Sequence, residues 1–257
     1  MVGMSTQGTP DGREIAQIVT LAERPDLMDV FWDMESPWPE FMKHDPIGNM
    51  YYDSLERFTE HVLVCLDEDG TMVAKAHSVP FPLAGGTLPD DGWDGVIRRA
   101  MQAEATGEPA THVSAIEISV RPDLQGRGLS GRILHALRDN AARLGFRELL
   151  APVRPNGKED PDEPMARYAF RTRDDGLPVD PWLRVHVRAG ARIDRVAPRS
   201  MVIPGTLEEW RGWTGLPFDR TGTVAVPGAL APVLCDAEHG TAVYVEPNVW
   251  VRHRTGA

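Results

Sequence analysis

One stretch constrains this chain more than any other. Residues 111–121 read as a strand, and after Arg121-Pro122-Asp123-Leu124 the turn Gln125-Gly126-Arg127-Gly128 leads into a helical stripe of Leu129, Ile133, Leu134, Leu137, Ala141 and Leu144. A strand that passes through glycines into the first turn of a helix aims free N–H groups and the positive end of a dipole at one spot, which suits a phosphate. Glycine lets the backbone approach such a ligand closely, and Arg127 adds a positive charge there. Gly145 closes the helix. The strand's alternation slips: Val113 and Ala115 are apolar, then Ile116, Ile118 and Val120, the pattern a β-bulge leaves. A bulge there would end pairing and splay a neighbouring strand beside the ligand.

Gly126, Gly128 and Gly131 also spell a literal G-x-G-x-x-G, with Glu148 about where a ribose-binding acid would sit, so a dinucleotide enzyme is an alternative. A third is a helix cap without ligand. The order of elements weighs against the dinucleotide fold, which would open with its glycine turn and continue as parallel βαβ units. Here an apolar stretch around Ile15, Ile18 and Val19 comes first. Residues 22–42 then suggest two short helices kinked near Ser36-Pro37, and strands at 61–66 and 71–77 flank the turn Asp67 to Gly70. A helix over residues 93–104 precedes the glycine turn. Beyond it come a strand at 148–153, a Pro- and Asp-rich loop with a short helix around 164–171, a helix capped by Asp180-Pro181, and strands at 192–203 and 241–251. Thr206 and Glu209 form a capping box between those last two.

The run Val120-Arg-Pro-Asp-Leu-Gln125-Gly-Arg-Gly128-Leu-Ser130 resembles the acetyl-CoA signature of the GCN5-related N-acetyltransferase (GNAT) family, Q/R-x-x-G-x-G/A after a strand ending in V-x-P. Ser130 departs from it, standing where the family has Gly or Ala, and its larger side chain would narrow the pyrophosphate nest. The resemblance implies an α/β fold: a mixed, mostly antiparallel twisted sheet of about seven strands, a splayed central pair and flanking helices. It makes residues 13–257 one domain, with insertions at 154–179 and 205–240, after a loose leader over 1–12.

The resemblance also implies an acetyl group, or another acyl group, passed directly from acetyl-CoA to a primary amine of a small molecule. A non-catalytic acyl-CoA sensor is the competing reading. In the family the pantetheine arm pairs with the signature strand, here at Ile118 and Val120. The pyrophosphate would sit on Gln125, Gly126, Arg127, Gly128, Leu129 and Ser130, with Asn156 at an asparagine position that touches pantetheine. The amine must shed a proton, and Glu117 is the candidate base, with its side chain opposite Ile116 and Ile118. His186 stands where the family supplies a tyrosine acid to the leaving thiolate, and Tyr168 is the fallback. Trp32, Asp33, Glu35, Trp38 and Glu40 offer aromatic walls and negative charge for a cationic acceptor. Dimers are frequent in the family, which leaves room for a homodimer.

Composition sets limits around that reading. The sequence carries 27 Lys and Arg against 38 Asp and Glu, a net charge of −11, which opposes nucleic acid and anionic membranes. Two cysteines are too few for a disulfide framework, and the eight histidines show no paired metal-ligand spacing, so no metal is expected. With neither a signal-like apolar start nor a membrane-length apolar run, a cytoplasmic protein is expected.

Overall fold

The computed structural model describes residues 15–35 and 38–256, so the expected leader over residues 1–12 lies outside the described residues. Strands β1 (Gln17–Thr20), β2 (Val62–Leu66) and β3 (Met72–Phe81) form an antiparallel meander. Its tight turn is held by Asp67, whose Oδ1 accepts from the N–H groups of Asp69 and Thr71 at 3.1 and 2.8 Å. Between β1 and β2 run the short 3-10 turns Pro25–Val30 and Glu40–His44, where two short helices are expected, then α1 (Pro46–Tyr52) and the 3-10 stretch Leu55–His61. Asp45 caps α1 through the N–H groups of Ile47 and Gly48, and Pro46 opens it.

Next come α2 (Gly92–Thr106), β4 (His112–Val120), α3 (Leu129–Arg143), β5 (Glu148–Val153), α4 (Met165–Tyr168) and α5 (Pro181–Arg188). The chain ends with β6 (Arg192–Thr206), α6 (Leu207–Thr214), β7 (Gly222–Val224), β8 (Val233–Asp236) and β9 (Thr241–Arg254). One sheet joins the strands in the order β1-β2-β3-β4-β5-β9-β8-β7, with β6 also paired to β9. Only β4 and β5 run parallel among the described strands. That rules out the doubly wound parallel sheet of a dinucleotide fold. The seven expected strands are present, and β7 and β8, within residues 205–240, are additional to them.

Both faces of the sheet are covered. On one, Trp93, Val96 and Ile97 of α2 pack with Phe31, Tyr51 and Trp250; on the other, Ile133, Leu134 and Leu137 of α3 pack with Val113, Leu149 and Leu183. Two features of this sheet create the site. The first is the bulge: His77 faces Glu117 and Ser78 faces Ala115, so Ile116 is the extra residue on β4. Ile116 therefore packs with the α2-side core and its carbonyl accepts from Trp93 Nε1 at 2.8 Å. Glu117 follows it onto that same face, which corrects the expectation that these two side chains oppose each other. Simple alternation fails there because the bulge spends one residue without changing face. The second feature is the splay. β4 and β5 pair only at Val113 with Leu149 and at Ser114 with Leu150, and beyond those residues they part.

Candidate active site

A cavity of about 390 Å³ opens where β4 and β5 part, bordered by the glycine turn, Trp38, Glu117, Arg154 and His186. Its floor is the coenzyme-type turn. Gly126 and Gly128 take φ of +77° and +78°, the left-handed region that costs other residues strain, and the space a side chain would enter at either is open. Gly128 is the N-cap of α3 and no side chain caps that helix, so its first N–H groups and dipole face the cavity end of the turn. An extended anion with two phosphates fits this cradle.

Of the residues expected to hold the coenzyme, Ile118, Val120, Gln125, Gly126, Ser130 and Asn156 line the cavity. Gln125 Nε2 donates to the Val120 carbonyl at 3.1 Å, tying the turn to the end of β4. Leu129 packs its side chain into the α3-side core, while exposed Arg127 donates to the Asp123 carbonyl at 3.3 Å. Asn156 Oδ1 accepts from Trp182 N–H at 3.2 Å, so it also joins the loop after β5 to the start of α5.

On the α2-side wall, Glu117 is 7% exposed and accepts three hydrogen bonds: from Trp38 Nε1 at 3.2 Å, and from the hydroxyls of Tyr52 and Ser119. His77 Nε2 lies 3.9 Å from its Oε2, and buried Lys75 stands on the same face of β3, its ammonium 4.5 Å over the Phe31 ring. Burial alone would raise the Glu117 carboxyl, but His77, the Ser119 and Tyr52 hydroxyls and Lys75 together hold it below the ordinary carboxylate value. Burial pushes His77 down to about 4 against the pull of the Glu117 charge, and the Ser119 and Tyr52 hydroxyls support the Glu117 anion whether or not that ring carries a proton. Burial and the Glu117 charge push both Tyr51 and Tyr52 well above the usual phenol range, so Tyr52 stays a donor.

The wall on the β5 side carries Arg154, whose Nε donates to the buried Glu246 carboxylate at 2.9 Å and whose guanidinium lies 5.9 Å over Trp38. The segment over residues 205–240 braces this corner: Gly228 sits against Pro39, where an added Cβ would come 3.3 Å from Pro39 Cγ, and the Gly228 carbonyl accepts from Arg154. Of the five residues expected at the acceptor end, only Trp38 borders the cavity. Trp32 is 54% exposed, Asp33 and Glu35 are exposed, and Glu40 pairs with Lys43 at 2.8 Å.

His186, on α5, also borders the cavity and is 2% exposed, with burial pushing its imidazole well below the usual value, so it is neutral. Tyr168 does not border the cavity. Its hydroxyl donates to Asp180 at 3.0 Å, and burial together with that charge raises it far above the usual range, so its proton is committed to Asp180, whose other oxygen caps α5.

Sequence reasoning missed Tyr52, Ser119, His77, Lys75 and Arg154. A partial signal existed: Lys75 and His77 are alternate ionisable residues in an otherwise apolar hairpin strand, and Glu117 and Ser119 repeat that spacing on β4. Tyr52 and Arg154 carry no local signal, since each reaches the site from an element distant in sequence.

Residues 24–160 match the family model described as the acetyltransferase (GNAT) family. The arginine N-acetyltransferase avaD of Aspergillus versicolor is 32% identical over 267 residues, covering 91% of this chain and 92% of that protein. Among solved structures, the loading GNATL domain of CurA from Lyngbya majuscula aligns with a TM-score of 0.59 at 19% identity, over 90% of this chain and 94% of that one. The GphF GNAT-like decarboxylase, solved in complex with isobutyryl-CoA, aligns with a TM-score of 0.51 at 17% identity, over 93% and 99% of the two chains. At those identities the structural likeness speaks for the fold alone.

Proposed function

The chain belongs to the acetyltransferase (GNAT) family, and from that premise we propose that it moves an acetyl group from acetyl-CoA directly to a primary amine of a small cationic molecule, of which arginine, the substrate named for its relative, is the first to try. The observation that carries this reading is the pairing, in one cavity, of an uncapped helix N-terminus with an ionised, buried carboxylate. One end suits a pyrophosphate and the other an ammonium.

Acetyl-CoA, when bound, supplies the activated acyl thioester. The α3 N-terminus and the backbone of residues 125–130 hold its phosphates, and the exposed edge of β4 at Ile118 and Val120 takes the arm that β5 leaves unpaired. Glu117 has two successive tasks. Its low carboxyl value makes it an anchor for the protonated amine, desolvated against Trp38. As the nitrogen attacks, its remaining proton becomes acidic, and Glu117 accepts it directly or through one water. His186, kept neutral by burial, offers a hydrogen bond to the charge that develops on sulfur.

Thermal unfolding with acetyl-CoA, CoA and NAD, followed by thiol-release assays over arginine, agmatine and neutral amines, tests the reading. Stabilisation by acetyl-CoA and CoA but not NAD, with turnover of cationic amines, is expected. Stabilisation by NAD alone, or preference for neutral amines, would sink it.

A further inference from the structure

Behind His186 lies a second histidine. His186 Nδ1 is 2.8 Å from Nε2 of His253 on β9, and the two rings are 2% and 1% exposed. His253 pairs in the sheet with Leu149, at the end of β5 away from the cavity, and does not border the cavity itself. The two nitrogens of an imidazole lie on opposite sides of the ring, so the contact with His253 leaves His186 Nε2 facing away from it. Among the described residues that buried Nε2 has no hydrogen-bond partner, and neither has His253 Nδ1.

A 2.8 Å contact between neutral imidazoles needs one N–H and one lone pair, so two arrangements are open. In one, His253 donates from Nε2, which leaves His186 with its proton on Nε2 and His253 with a bare Nδ1. The other reverses every position. Positive charge near His253 chooses between them: after burial, the Arg138 guanidinium is the largest influence pushing its imidazole down, to about 4. Arg138 is anchored on the Ala189 carbonyl at the end of α5, 3.2 Å away. A bare lone pair is stabilised beside positive charge, whereas an unpaired N–H is repelled by it. The ring of Trp182, 4.6 Å from His186 and edge-on to it, fixes the rotation of His186 about this axis.

We propose that His253 is a positioning residue: it donates Nε2–H to His186 Nδ1, fixing His186 as the tautomer that presents an Nε2–H to the leaving sulfur. This rests on the acetyl-transfer reading of the cavity. When the C–S bond breaks, its electron pair departs on sulfur, and the His186 N–H stabilises that charge by a hydrogen bond without giving up its proton. Solvent protonates the thiolate afterwards, and both imidazoles stay neutral throughout.

Ring-15N NMR of the full chain reads the tautomers directly, with a protonated Nε2 and a bare Nδ1 expected on His186; the reverse pattern overturns the proposal whatever the activity. His253→Gln keeps a donor and His253→Phe removes it. The Phe variant should lose on the order of 10- to 100-fold in kcat, with KM for both substrates nearly unchanged, while the Gln variant keeps most of the rate. Equal losses in both variants at an unshifted thermal midpoint, or a loss confined to KM, would overturn it. A wild-type protein that turns over no amine would instead remove the acetyl-transfer reading, and the NMR arm would still decide the tautomer.

Discussion

The two walls of the cavity bury ionisable groups to similar depth and treat them in opposite ways. Glu117, with hydroxyl and indole donors converging on one carboxylate, is kept charged. His186 and His253, hydrogen-bonded to each other and buried, with Arg138 repelling a charge on His253, are kept neutral. Burial pushes both groups toward neutrality, so depth alone does not decide charge. What decides it is whether the surrounding elements deliver partners for the ionised form. The charge of one wall suits a cation, and the other suits a donor that carries no charge.

The contrast can be broken most severely at Glu117. Glu117→Gln keeps the shape and removes the anion, and kcat/KM for cationic amines should fall about 10²- to 10⁴-fold while acetyl-CoA still raises the melting temperature. If coenzyme stabilisation vanished as well, the two ends of the cavity would not be independent. On the neutral wall His186→Phe should cost less, roughly 10²-fold in kcat, with little change in KM for the amine. A loss in amine KM there would mean that this wall, too, binds the acceptor.

A smaller effect sharpens the account of the charged wall. Tyr52→Phe takes one donor from the Glu117 carboxylate, and a hydrogen bond to a charged group contributes about 1.5–3 kcal/mol, so a loss on the order of tenfold is expected. The carboxyl value should rise with it, moving the acid limb of the pH–rate profile to higher pH. An unmoved limb would assign that limb to another group.

The smallest effect on rate, and a third case of the same rule, is Asp94. This carboxyl is buried beside Asp45 with one backbone donor, Val202 N–H at 3.0 Å, and burial followed by the charge of Asp45 raises it to about 8. A folded value above the unfolded one means that the native state holds the extra proton between about 4 and 8, so stability is greatest at the acid end of that window and falls as pH rises through it. The buried histidines, whose folded values lie below the unfolded one of about 6.5, work in the opposite sense at lower pH, so the contribution of Asp94 is read between about 6.5 and 8. There the thermal midpoint should decline as pH rises, and Asp94→Asn should flatten that decline at nearly unchanged kcat. A wild-type midpoint that rose between about 6.5 and 8 would show that Asp94 is ionised, against the rule drawn from the cavity walls.

Much of the fold was legible locally because its signals are local. The hairpin turn at Asp67, the Asp180 and Thr206 caps and the glycine turn depend on side-chain-to-backbone bonds within a few residues, and each formed where the sequence places it. α1 was missed although Asp45-Pro46 is a cap and an N1 proline, because the apolar pattern before it drew the expected helices earlier. The geometry of the glycine turn was readable for the same reason as the caps. Of the three side chains named for chemistry, Glu117 and His186 border the cavity, but the hydroxyl of Tyr168 is placed on Asp180 instead.

The sequence alone determined the anion-binding turn, because glycines, a strand before and an amphipathic helix after set backbone geometry over a dozen neighbouring residues. It also determined the bulge, since the slip in apolar pattern is itself the bulge. Only the tertiary structure decided which way Glu117 faces, that Tyr52 and Trp38 supply its donors from 65 and 79 residues away, and that His253 stands behind His186 across 67 residues. The physical reason is that the charge of a buried group is set by partners within about 3 Å, and in a sheet whose strands come from distant parts of the chain those partners are neighbours in space with no mark of it in sequence.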